Sequence, residues 1–135
     1  MIVDSSALIA ILTDEPERAA MVEAVLSTPQ RTMSAATWLE SAMVVDARND
    51  PVLSRRFDDA IRTFDIEIVP VTPAHALTAR RAFTDFGKGR HRAGLNFGDC
   101  FSYALASTQD EPLLCKGNDF RHTDIEIVEL SSDGP

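Results

Sequence analysis

Short apolar runs alternate along this chain with longer segments whose apolar residues recur every three or four positions. Met1-Ile2-Val3 reads as a short strand, and Asp4-Ser5-Ser6 offers side-chain oxygens to cap a helix over residues 7–12. Asp14-Glu15-Pro16 opens a second helix, with proline in the first turn and Val22, Val25 and Leu26 as its apolar face. Pro29 closes it, Arg31-Thr32-Met33 forms a second strand, and Ser34 or Thr37 caps a helix that Asn49-Asp50-Pro51 breaks after about Arg48. A helix over about 52–64 leads into the alternating strand 66–69. Thr72-Pro73 opens another, with Ala76, Ala79, Phe83 and Phe86 at helical spacing. Residues 87–98, with glycines at 87, 89, 94 and 98, form a loop before a helix over 98–108 that carries Phe97, Phe101, Ala104 and Leu105 on one face. Leu113-Leu114-Cys115 is a buried strand, Gly117-Asn118-Asp119 a turn, 125–130 a last strand and 131–135 a frayed tail. The pentapeptide Asp-Ile-Glu-Ile-Val stands at both 65–69 and 124–128 and reads as a strand each time, too short a match for a repeat architecture.

Strands that alternate with helices predict an α/β domain in which a mostly parallel sheet lies between helical layers. In such folds ligands bind beyond the carboxyl ends of the strands, near the point where strand order reverses. At 135 residues the chain makes one domain, and its 44% hydrophobic and 25% charged content is that of an ordinary globular protein. No basic stretch precedes an apolar one at the N-terminus, and the longest apolar run, 7–12, is far too short for a bilayer. The expected location is therefore the cytoplasm, without membrane attachment. There Cys100 and Cys115 read as small buried hydrophobes, and His75, His91 and His122 lack the spacing of zinc ligands.

A formal net charge of −8 speaks against holding nucleic acid by bulk electrostatics. It leaves room for a site that is acidic until cations bind, and basic residues do cluster at Arg80-Arg81 and at Lys88-Gly89-Arg90-His91-Arg92. Four acids fall where a parallel sheet would gather them. Asp4 ends the first strand, Glu40 stands in the helix after the second, Asp99 in the first turn of the helix after the glycine-rich loop, and Asp119 just past the strand 113–115. Carboxylates so close repel and need cations or protons to coexist. Oxygen donors without imidazole or thiolate favour magnesium or manganese, which can activate a water for in-line hydrolysis of a phosphodiester. Taken singly, each acid has an ordinary reading as a cap, a solvated helical residue or a turn residue.

The motifs around those acids resemble the PIN-domain family, and in particular VapC toxins. Met1-Ile2-Val3-Asp4-Ser5-Ser6-Ala7-Leu8 is similar to the opening strand and first acid, and the segment from Ser34 to Glu40 to the second motif. Asn96-Phe97-Gly98-Asp99-Cys100 with Ala104 resembles the third, and Leu114-Cys115-Lys116-Gly117-Asn118-Asp119-Phe120 the fourth. The resemblance implies a three-layer α/β/α domain over 1–130 followed by a tail over 131–135. It implies an endoribonuclease, the toxin of a type II toxin–antitoxin pair, which hydrolyses RNA with metal-activated water and leaves a 5′-phosphate and a 3′-hydroxyl. Asp4, Glu40, Asp99 and Asp119 would be its catalytic, magnesium-binding (or manganese-binding) quartet. Of these, Asp4 and Asp99 would lie nearest the metal, with Glu40 and Asp119 acting directly or through water. Ser6 would orient a water, or simply cap its helix. Lys88, Arg90, Arg92 and Lys116 are candidate phosphate contacts, with a solvated surface as their plain alternative. Trp38 reads as core packing rather than a base-stacking platform. The implied partners are RNA, a second copy of the chain, and a VapB-like antitoxin whose C-terminal segment covers the pocket with a basic side chain in the metal position. Two other functions stay open: a magnesium-dependent DNA nuclease, which generally needs more chain than this, and a non-catalytic partner-binding module, which would dispense with one or more acids. An aspartyl phosphotransferase would want a second acid where Ser6 stands, and is set aside.

Overall fold

Ile2–Val3 (β1) sits inside a parallel sheet of order β3-β2-β1-β4, flanked by β2 (Arg31–Ser34) and β4 (Leu113–Leu114), with β3 (Ile66–Val69) at the edge beyond β2. These relations come from a computed structural model that describes residues 1–131. Successive strand side chains point to opposite faces, so the two strands beside each other feed two cores. Met1, Val3 and Leu114 pack with Met33 against α1 (Ser5–Leu12), α2 (Arg18–Ser27), α3 (Ala35–Asp46) and α4 (Pro51–Thr63). Ile2, Leu113 and Cys115 pack against α5 (Pro73–Phe86) and α6 (Phe97–Gln109). The layers are therefore α/β/α, as predicted. No helix among the described residues is long and apolar enough to cross a membrane.

Several helix starts follow the capping chemistry read from the sequence. Ser34 accepts from the Ala36 amide and Thr72 forms a capping box with His75, while Asp50, read only as part of a helix break, proves also to cap α4 by accepting from Val52 and Leu53. Trp38 is half-buried against the Phe57 ring, 6.4 Å between centroids, and both cysteines are free and buried.

Four expectations need correction. The second helix starts at Arg18, because Asp14 adopts a left-handed backbone (φ 56°) and Pro16 lies in the turn ahead of the helix. Its buried positions are Met21 and Val25; Leu26, one position further round the helix, is exposed. Residues 125–130 do not form a strand. They meet β4 (two residues long) through a single parallel bridge, Leu113 with Ile127, too little pairing to make a strand. Finally, Ala76, Phe83 and Phe97 are exposed rather than core. With Ala79, Arg80, Cys100 and Phe101 they line an open apolar groove of about 520 Å³ between α5 and α6. Of the expected tail, residues 132–135 lie outside the described residues.

Candidate active site

Strand order reverses at β1, with β2 on one side and β4 on the other, and its carboxyl end places Asp4 at the switch point of the sheet. Asp4 is 2% exposed and caps α1. Its Oδ2 accepts from the Ser6 amide (3.1 Å) and the Ser6 hydroxyl (2.6 Å), and its Oδ1 accepts from the Ser102 hydroxyl (2.5 Å). The Ser6 oxygen in turn accepts from the Lys116 amide at 2.9 Å, which ties the end of β1 to the segment after β4.

Glu40 enters from α3 and is half-buried, its Oε1 accepting from the Ser5 hydroxyl at 3.1 Å. Its carboxylate lies directly against Gly98, in the space that a β-carbon there would need. Asp99 follows in the first turn of α6, where it forms a capping box with Asn96. The Asp99 amide donates to Asn96 Oδ1 at 2.9 Å, and the Asn96 amide donates to Asp99 Oδ2 at 3.0 Å. Asp119 is exposed, at the start of a short 3-10 helix (Asp119–His122).

The four acids feel one another. Burial is the main cause that pushes the Asp99 carboxyl up to about 6, opposed by the Asn96 amide and reinforced by the charges of Asp4, Glu40 and Asp119. Burial likewise raises Glu40, with Ser5 opposing and Asp4 adding. The buried Cys115 thiol is pushed up to about 12, by burial first and then by Asp4, with Arg121 opposing and Asp99 and Asp119 adding. Among the described residues none of the four pairs with a lysine, arginine or histidine. Nor do three His, Cys, Asp or Glu side chains close around a single point among those residues. The arrangement is an all-oxygen cluster short of positive charge, the donor set that hard divalent cations take.

Lys88, Arg90 and Arg92 are exposed, and the Arg90 guanidinium lies over the Phe83 ring, 5.2 Å from its centroid, on the groove side of α5. The Lys116 ammonium is bound by Glu15 and stands 3.5 Å from Glu17. Sequence reasoning gave no site role of their own to Ser5, Asn96 and Ser102, which bind the acids, or to Gly98, which leaves room for Glu40. Asn96-x-x-Asp99 was legible as a capping box, and Gly98 as a glycine inside a helix; Ser102, one turn after Asp99, gave no signal of its own.

A model of the PIN domain matches residues 1–126. The chain is 52% identical to Ribonuclease VapC28 of Mycobacterium tuberculosis over 127 residues, which is 93% of this chain and 96% of that protein. It is 48% identical to Ribonuclease VapC of Mycolicibacterium smegmatis, over 95% of this chain and 99% of the other. Among solved structures it superposes on Mycobacterium tuberculosis VapC20, a toxin that cleaves the sarcin-ricin loop, with a TM-score of 0.75 at 17% identity, over 94% and 97% of the two chains. A toxin–antitoxin complex from Klebsiella pneumoniae matches with a TM-score of 0.66 at 19% identity, over 88% of each chain.

Proposed function

Since the chain belongs to the PIN-domain family, among the VapC ribonucleases, we propose that it is a toxin endoribonuclease of a type II toxin–antitoxin pair and that Asp4, Glu40, Asp99 and Asp119 are its catalytic acids. The observation that carries this reading is the meeting of four acids from four separate elements at the switch point of the sheet, where burial first and then the charges of Asp4, Glu40 and Asp119 raise Asp99 to about 6, and where no cationic side chain among the described residues pairs with them.

Magnesium or manganese fits that donor set, with Asp4 and Asp99 as the nearest ligands. Bound there, the cation would supply Lewis acidity and charge neutralisation at a scissile phosphodiester. The chain's own part is to orient the acids. Ser6 and Ser102 fix both oxygens of Asp4, Ser5 holds Glu40, and the Asn96 cap holds Asp99 at the mouth of α6. Asp119 adds its charge from the start of the 3-10 helix. RNA is the substrate we infer, in the cytoplasm, with Lys88, Arg90 and Arg92 as phosphate contacts. The antitoxin would reach the acids with a basic side chain. A second copy would cover the apolar groove between α5 and α6, whose Phe97 is 81% exposed, and a monomer at micromolar concentration by light scattering would refute that interface.

The test is cleavage of total cellular RNA by the purified chain, with magnesium or with chelator, beside Asp4→Asn and Asp99→Asn. Cutting that needs the cation and both acids is expected, with single-stranded and duplex DNA left intact. Cutting that survives chelation, or loss of both acids, would refute the reading.

A further inference from the structure

Asp4 holds its place at the switch point through three donors, and one of them reaches back into the core. Ser102 is 1% exposed on α6, and its hydroxyl lies 2.5 Å from Asp4 Oδ1 and 3.3 Å from the hydroxyl of Thr37, itself 1% exposed on α3. A serine hydroxyl carries one proton, and an ionised carboxylate can only accept. Ser102 must therefore donate to Asp4, which leaves Thr37 to donate to Ser102. The protons run one way, from Thr37 to Ser102 to Asp4. Thr37 stands one turn before Glu40, and Ser102 one turn after Asp99. This buried chain of two hydroxyls thus fastens together three of the elements that bear the acids: β1, α3 and α6. Ser41, fully buried, anchors it by donating to the Thr37 carbonyl at 2.8 Å.

The chain also sets what Asp4 has left to give. An ionised carboxylate offers about four lone-pair directions. Both on Oδ2 are engaged by Ser6, and Ser102 takes one on Oδ1, so a single direction on Oδ1 remains. Without Ser102 the carboxylate loses the contact that chooses this direction. Partners behind a ligand commonly matter about 10–100-fold in metal affinity.

We propose that Ser102 and Thr37 are positioning residues for divalent-cation binding, Ser102 by aiming the free lone pair of Asp4 and Thr37 by orienting Ser102. This rests on the reading of the four acids as a metal site. It is tested with Mn²⁺ alone, by calorimetric or spin-resonance titration of the metal-free full chain without RNA. Wild type should bind, and Asp4→Asn should not. If wild type fails to bind, or Asp4→Asn binds equally well, the metal reading itself is wrong and this inference goes with it. Given wild-type binding, Ser102→Ala should raise the Mn²⁺ Kd by about tenfold or more. Thr37→Val, which keeps the shape but removes the donor, should raise it severalfold, while Thr37→Ser, which loses a methyl but keeps the donor, should bind as wild type does. The double variant Ser102→Ala/Thr37→Val should be no weaker than Ser102→Ala, because Thr37 acts only through Ser102. A packing role predicts the opposite order at position 37, with Thr37→Ser the weaker binder. That order, or wild-type affinity in Ser102→Ala, overturns the proposal. Should Ser102→Ala fail to fold, the two Thr37 variants decide alone.

Discussion

At Gly98 a single missing methyl makes room for a catalytic candidate. A β-carbon built there falls inside the Glu40 carboxylate, while the backbone is ordinary α-helix. Alanine is a better helix former than glycine by up to about 1 kcal/mol, and the atoms in its way are the far end of a flexible side chain. Gly98→Ala should therefore leave thermal stability unchanged or slightly higher, while Glu40 is driven off Ser5 and RNA cleavage falls by about tenfold or more. A stability loss with cleavage intact would mean that Glu40 merely fills space. Asp99 gives a prediction of opposite kind. A carboxyl raised from 3.8 to about 6 in the folded chain stabilises the fold fully below its unfolded pKa, and that contribution is lost as pH climbs through about 6. In metal-free protein, Asp99→Asn should thus melt higher than wild type at pH 7.5, with the difference shrinking below pH 5 and gone by about pH 3.5. Added Mn²⁺ should stabilise wild type and leave the variant unmoved. Melting curves across that range check both, and a variant less stable at pH 7.5 would count against crowding of the acids.

At the scale of elements, the caps separate stability from site geometry. Asn96 caps α6 and sets the turn that holds Asp99, whereas the exposed Asp50 caps α4 through Val52 and Leu53 and bonds none of the acids. Asn96→Ala and Asp50→Ala should each cost about 1 kcal/mol of unfolding free energy. Only Asn96→Ala should also depress cleavage, about tenfold; equal cleavage in the two would show that α6 is held by packing alone. The same caps explain how much of the fold is legible in the sequence. Ser34 and Thr72 announce their helices through short-range chemistry, and Asp4, Asp99 and Asp119 announce themselves by standing at strand ends and a helix start. The two copies of Asp-Ile-Glu-Ile-Val mark where local reading stops. At 66–69 the segment pairs residue for residue with all of β2, and at 124–128 it meets the two-residue β4 through Leu113 alone. Partner length, which no five-residue window contains, decides between strand and bridge. Ser102 is illegible for a related reason. A serine in a helix carries no message until β1 delivers a carboxylate 98 positions away, and Phe97 reads as core although the partner face of its helix is open.

For the whole molecule the governing quantity is charge. With 21 acids against 13 lysines and arginines, the chain repels RNA on average, and several of its cations are already spoken for: Lys116 by Glu15 and Glu17, and Arg121 by Glu129. Lys88 and Arg92 are exposed and have no carboxylate partner among the described residues. If they grip phosphates, they act against an unfavourable background field, and their contribution should emerge through salt. Each contact with single-stranded RNA adds about 0.7 to the slope of log affinity against log salt. Lys88→Ala and Arg92→Ala should each flatten that slope by about 0.7, raise KM and leave kcat unchanged, because the contact is the same in substrate and transition state. Lys116→Ala, whose ammonium faces Glu15 and Glu17 rather than substrate, should change neither slope nor KM by a comparable amount. Measuring KM for a short RNA at fixed magnesium and rising monovalent salt separates the cases. An unchanged slope in both loop variants would make the basic loop a solvated surface. RNA would then be held by the acids' own cations, and affinity should follow magnesium concentration instead of the loop.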